Sequence, residues 1–307
     1  MSQLEGILPL LKPAGMTSHD CVMRIRKLFK TKKVGHTGTL DPDVIGVLPI
    51  CIGKATKVAQ YMSDYSKTYV GEVTIGFSTT TEDRSGEIVE RKEVESSWTT
   101  EEIDGVLTSF LGEIEQIPPM YSAVRVNGKR LYEYARANQE VERPMRNVII
   151  HQLERVSALE FNESEKTCSF SFRVVCSKGT YVRTLAVDLG KTLGFPAHMS
   201  HLIRTASGPF TQDVCITLDA LEAMETVEER MDVLRPLDEA IFHLPKLIVN
   251  DETEQLIKYG SVLPEEKGLD QSRFTVYNEL GECLAIYQKH PTKTGLIKPE
   301  KMLWTDN

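Results

Sequence analysis

Residues 34–49 read Val34-Gly-His-Thr-Gly-Thr-Leu-Asp-Pro-Asp-Val-Ile-Gly-Val-Leu-Pro49. Three glycines, two prolines, a histidine and two carboxylates fall there between two apolar segments that read as helix-like. Gly35 and Gly38 open backbone conformations closed to other residues, and Pro42 stiffens the chain directly after Asp41. The expectation is a rigid, tightly turned loop that presents Asp41. Glycine content alone would equally suit an ordinary long connection, so the neighbouring segments decide.

On the N-terminal side, Gly6 to Leu11 reads as a strand and Lys12-Pro-Ala-Gly-Met-Thr-Ser18 as a turn. Ser18 is placed to cap a helix in which Cys21, Val22, Ile25, Leu28 and Phe29 share one face. On the C-terminal side, Lys54 to Met62 reads as helix, and Lys67 to Phe77 alternates like a strand. Thr99 with Glu102 forms a capping box for a helix using Ile103, Val106, Leu107 and Phe110. Asn127-Gly128 marks a hairpin turn, followed by a basic, aromatic stretch from Lys129 to Arg146. Strands return at Asn147 to Leu159 and Cys168 to Cys176, and Tyr181 to Leu193 forms a helix closed by Gly194. Beyond the acidic segments of Thr217 to Glu239, a helix from Asp251 to Tyr259 stops at Gly260. Phe274 to Tyr277 then pairs with Leu284 to Tyr287 as a small β-rich unit. Strands and helices mix without regular βαβ spacing, which indicates an α+β class.

Composition narrows the function. With 41% apolar and 26% charged residues the 307-residue chain can build a globular core, and its length suits one large domain plus a small one. No run reaches the length of a membrane span and Met1 to Gly6 carries no signal-peptide pattern, so a cytoplasmic protein is expected. The six cysteines have no C-x-x-C spacing, which points to neither a zinc site nor a disulfide framework. The net charge of −8 opposes a general nucleic-acid binder, yet Arg24, Arg26, Lys27, Lys30, Lys32 and Lys33 form a local +6 that leaves −14 elsewhere. That run feeds into the Asp41 loop, so a polyanion steered there would meet the carboxylate.

Familiar catalytic patterns are absent. Gly53-Lys-Ala-Thr56 lacks the earlier glycine of a phosphate loop. Gly35-His-Thr-Gly38 is followed by Leu-Asp-Pro rather than the helix an RNA-clamping GXXG loop requires. No serine sits in a nucleophile elbow, which leaves a carboxylate as the candidate nucleophile. A second polar knot, Cys176-Ser-Lys-Gly-Thr-Tyr-Val-Arg-Thr184, lies at a strand-to-helix junction. An arginine from it beside Asp41 would lower the carboxylate's pKa and keep it ionised. Tyr69, opening a strand in Lys67-Thr-Tyr69, is suited either to core packing or to a stacking platform.

As an ordered set these segments resemble the bacterial tRNA pseudouridine-55 synthases, a family within the pseudouridine synthase superfamily. The likeness runs through Lys12-Pro-Ala-Gly-Met-Thr-Ser18, Gly35-His-Thr-Gly38 with Leu40-Asp41-Pro42, and Gly46-Val-Leu-Pro-Ile-Cys-Ile-Gly53 with Ala55-Thr56-Lys57. It continues through Lys67-Thr-Tyr69, Ile117-Pro-Pro-Met-Tyr-Ser-Ala123, Gly179-Thr-Tyr-Val-Arg-Thr184 and the segment from Leu202 to Phe210. The chain departs from the usual Ala-Thr of that family at Val44-Ile45, both bulkier and apolar.

The resemblance implies a pseudouridine synthase fold, a mainly antiparallel mixed sheet with flanking helices, over residues 1–240. It implies a mobile thumb at about 129–146 and a PUA-like RNA-binding domain with a short tail over 241–307. It further implies Asp41 as the nucleophile toward uridine-55 in the tRNA T arm, with Tyr69 stacking on the flipped base and Arg183 pairing with Asp41. His36 would occupy the space vacated in the RNA loop, and Tyr181 and Leu202 would line the uracil pocket. Isomerisation of uridine moves no redox equivalents, so no cofactor and no metal are expected. Attack at C6 of the base and at C1′ of the ribose both fit. No protein partner is expected, and the absence of an obvious dimer helix suggests a monomer. The alternative is a non-catalytic tRNA-binding protein or folding chaperone on the same scaffold, against which the intact Asp41, Tyr69 and Arg183 weigh.

Overall fold

The computed structural model describes residues 4–96, 98–265 and 271–304; the rest, including the short tail expected at the C-terminus, lie outside the described residues. Along its main path the large sheet runs Ile216–Thr217, Gly6–Lys12, Ile45–Ile52, Ala197–Ser207, Lys67–Ile75, Thr167–Cys176, Arg146–Arg155 and Gly112–Gln116. Most neighbours are antiparallel, but Ile216–Thr217 runs parallel to Gly6–Lys12 and Ile45–Ile52 runs parallel to Ala197–Ser207. The α+β expectation holds: helices flank a mixed sheet.

Two cores meet at the middle of this sheet. One gathers Ile25, Phe29, Leu48 and Ile50 under the helix Ser18–Leu28; the other gathers Val73, Phe170, Leu185 and Leu189 under Val182–Thr192. Tyr69 and Leu202 pack against both. They therefore stand at the seam where the surface opens.

The apolar segment after the Asp41 loop is a strand, not a helix. Ile45–Ile52 is buried almost throughout, and a strand covered on both faces loses the alternation that would reveal it. The segment before the loop likewise ends in a short strand, Val34–His36, after the helix Ser18–Leu28. Lys54 to Met62 divides into a 3₁₀ turn, Gly53–Lys57, and a single α-turn, Ala59–Met62. The strand from Lys67 breaks at Gly76, whose φ is 130°. The helix N-cap is Thr17 rather than Ser18, with Asp20 completing a capping box. Ser18 instead turns inward and serves the loop described below.

Gly35 and Gly38 do not adopt left-handed conformations; the glycine that the local geometry demands is Gly46, at φ 137°. A methyl group there would collide with the Arg204 carbonyl and lie 2.7 Å from the Arg204 amide nitrogen. Close approach of the parallel pair Arg204↔Gly46 is thus possible only without a side chain.

The C-terminal unit is a second sheet, ordered Lys246–Val249, Arg273–Asn278, Cys283–Lys289, Leu296–Met302 and Leu263–Pro264, with the helix Asp251–Lys258. Its own core includes Ile257, Phe274, Leu284 and Tyr287. Ile286 and Leu303 pack with Ile7, Val47 and Cys51 of the main body. The Tyr65 hydroxyl donates to the Ala240 carbonyl at 2.6 Å, and Lys57 Nζ to that of Met302 at 2.8 Å.

Gly46→Ala should destabilise the fold by about 2–4 kcal/mol, combining backbone strain with overpacking. Gly35→Ala, with nothing within 4 Å of the added methyl, should stay within about 0.5 kcal/mol. Urea unfolding midpoints check both; equal effects would contradict the assignment.

Candidate active site

The loop carrying Asp41 is held by its carbonyls. Ser18 Oγ accepts from the Leu40 amide at 2.9 Å and donates to the Leu40 carbonyl at 3.2 Å. The fully buried Lys12 aims its ammonium at the carbonyls of Pro13, Met16 and Pro42, at 2.8, 2.6 and 2.8 Å. Burial lowers its pKa, opposed by the carboxylates of Asp43 and Asp41 nearby. The Gly15 amide also donates to Pro42, and the Val44 amide closes a turn on the Asp41 carbonyl at 3.1 Å. None of these bonds to the loop engages the Asp41 carboxylate itself.

That carboxylate meets Arg183, on the first turn of the helix Val182–Thr192. Nε lies 3.0 Å from Asp41 Oδ2, Nη1 donates to the Thr81 carbonyl and Nη2 to that of Tyr121, each at 2.9 Å. Asp83 Oδ2 stands 3.9 Å from Nη1. The arginine side chain is 5% exposed and that of Asp41 40%: the cation is committed, while the carboxylate remains open to a ligand. Lysine donates from a single nitrogen and lacks the planar fork that spans these separated acceptors.

Desolvation in the cleft pushes the Asp41 carboxyl above its usual range, only partly opposed by Arg183, and Asp83 adds to the rise. The sequence-based expectation of a net lowering therefore omitted burial.

Asp41 lies where two chambers join, of about 650 and 690 Å³, whose walls share Leu40, Asp41, Val44, Arg183 and Leu202. Tyr69 and Tyr181 stand in the first. The partly buried Tyr69 has its phenol pKa raised by burial, with the guanidinium of Arg204 acting against the rise. Tyr181 is the N-cap residue of its helix, and its backbone exchanges hydrogen bonds with the Gln116 amide at 3.0 and 3.2 Å. His36 faces the second chamber; burial lowers its pKa, reinforced by Arg204, and its Nδ1 has no partner among the described residues. The cleft thus brings together all six residues singled out from the sequence.

Others escaped the sequence reading. Arg204 is 1% exposed, with Nε donating to the Val47 carbonyl at 2.7 Å and Nη2 to that of Gly38 at 3.4 Å. It ties the strand Ala197–Ser207 to both ends of the Asp41 loop. Lys67 is held by the carbonyls of Ser63 and Tyr65, and burial pulls its pKa down to about 8. A lone basic residue within a strand gives no signal that its target is a carbonyl. Among the described residues no cluster of His, Cys, Asp and Glu could hold a metal ion, and no helix is long and apolar enough to cross a membrane.

Comparison with known proteins places the chain in a family. Residues 26–182 match the TruB family pseudouridylate synthase N-terminal domain, and residues 183–241 the tRNA pseudouridylate synthase B C-terminal domain. The chain belongs to the TruB family of tRNA pseudouridylate synthases. It is 61% identical over 303 residues to tRNA pseudouridine synthase B of Halalkalibacterium halodurans, covering 99% of each chain. It is 55% identical over 307 residues to the protein of that name from Bacillus subtilis, covering 98% of each. The fold matches a chain in a solved Cbf5-Nop10-Gar1 complex with TM-score 0.72 and 28% identity, covering 97% of this chain and 85% of that one. The resemblance drawn from the motifs is borne out, and the protein is an isomerase of the pseudouridine synthase class.

Removing the guanidinium takes away the charge that favours ionised Asp41. In Arg183→Met the Asp41 carboxyl should therefore titrate at higher pH than in the wild type, which itself titrates above ordinary aspartate. Carboxylate-selective NMR or difference infrared titration reads both. A downward shift in the variant would contradict the assigned pairing.

Proposed function

We propose that this TruB-family protein converts uridine-55 in the T loop of tRNA to pseudouridine, with Asp41 as the nucleophile. The observation that carries this reading is the half-buried Asp41 carboxylate held 3.0 Å from a buried Arg183 at the junction of two chambers. A nucleobase has to leave its stack to reach such a site, at a cost of a few kcal/mol that is least in a loop. Stacking on Tyr69 offsets roughly 1–3 kcal/mol of it. Tyr181 and Leu202 wall the uracil, and His36 fills the space the base leaves in the RNA.

The reaction breaks the N1–C1′ bond and forms C5–C1′. The proton on C5 is lost and N1 gains one, so the sum is an isomerisation. Asp41 attacks and departs unchanged. Residues 129–146 act as the thumb on the T arm, within a catalytic domain of residues 1–240, and residues 241–307 form the PUA-like RNA-binding domain.

A basic track supports an RNA ligand. Lys33, Lys54 and Lys301 crowd Lys57, whose pKa is lowered by burial and then by these neighbours. The track joins the exposed Lys33 to the C-terminal unit.

Asp41→Asn should abolish pseudouridine formation in an unmodified tRNA transcript while leaving binding within about tenfold, because backbone and stacking contacts supply most of the affinity. A wild-type chain that binds without forming product would favour the chaperone alternative. Charge reversal of Lys32 and Lys33 should weaken binding and flatten its dependence on salt. An unchanged slope would remove them from the footprint.

A further inference from the structure

Five cations line the first chamber, and four are already engaged. Lys67 serves two carbonyls, Lys178 pairs with Asp64, Arg183 holds Asp41, and Arg204 serves Val47 and Gly38. Arg146 is the fifth. Its guanidinium carbon stands 5.6 Å from the centre of the Tyr181 ring. Its Nε is buried with no hydrogen-bond partner, and among the described residues its side chain makes neither a hydrogen bond nor an ion pair. Among the described residues the only acid in the chamber wall is Asp41, already paired with Arg183.

A buried N–H without a partner carries the desolvation cost of that group. A guanidinium over an aromatic ring keeps its in-plane donors for another ligand, and the ligand that matches this fork is an oxyanion such as phosphate. Arg146 opens the strand Arg146–Arg155, and its backbone pairs with Gln116. The same Gln116 side chain brackets the backbone of Tyr181. The free guanidinium therefore sits on sheet structure directly coupled to the wall of the chamber.

We propose that Arg146 binds a phosphodiester of the RNA strand beside the target uridine and so positions the flipped nucleotide in the first chamber. This inference rests on the functional reading above. Phosphate contacts fix the register of a nucleic acid on a protein, and base flipping rotates the target nucleotide about its backbone into the pocket that receives it.

The test uses full-length wild type, Arg146→Met and Arg146→Lys with a T-arm stem-loop RNA, measuring conversion and binding over a range of salt. A second set of RNAs carries an uncharged methylphosphonate at each linkage flanking the target. Arg146→Met should bind about 10–100-fold more weakly and reduce the slope of log K against log salt by about 0.7. Arg146→Lys should restore the slope but only part of the affinity. At one linkage the methylphosphonate should weaken wild type while costing Arg146→Met nothing further. An unchanged slope in a folded Arg146→Met, or equal losses in both proteins at every linkage, would overturn the inference while leaving the functional reading intact. A wild-type chain that fails to convert the RNA would overturn the functional reading itself.

Discussion

One buried guanidinium holds the site together. Arg183 bonds at once to the Asp41 carboxylate and to the carbonyls of Thr81 and Tyr121, so three segments distant in sequence converge on a single planar group. A cation this deeply buried is tolerated only when its donors are matched by fixed acceptors. Here those acceptors are the loops that form the cleft. The contact that neutralises Arg183 is thus the contact that assembles the site.

Around that pair, rigidity comes from side chains directed at backbone oxygens. Arg204, Ser18 and Lys12 reach Gly38, Leu40 and Pro42 in turn. The loop is pinned at alternate residues through its backbone, which leaves Arg183 as the partner of the Asp41 carboxylate. On the proposed reading, in which Asp41 is the nucleophile, such preorganisation lowers the entropy cost of bringing it to its target. Tyr69 and Leu202 add to it by standing on two packed cores at once.

Local rules made parts of the fold legible from sequence. Thr99 and Glu102 form the expected capping box. Asn127 and Gly128 have φ of 49° and 83° between two short paired strands, and Gly194 and Gly260 end helices at positive φ. Each depends on chemistry within a few residues. Long-range constraints were hidden. The strand Ile45–Ile52 read as helix-like because both of its faces are covered. Ala197–Ser207, central to the sheet, passed unread because its register shifts between Met199 and His201 and again between Arg204 and Ala206. At the site, Asp41 and Arg183 stood out through motif and chemistry, whereas the roles of Lys12, Ser18 and Arg204 depend on carbonyls whose positions only the fold defines.

The most direct measurement is to incubate the wild-type protein with an unmodified tRNA transcript and map pseudouridine at nucleotide resolution. A single product at uridine-55 of the T loop is the expected result. No product, or product spread over uridines outside that loop, would contradict it.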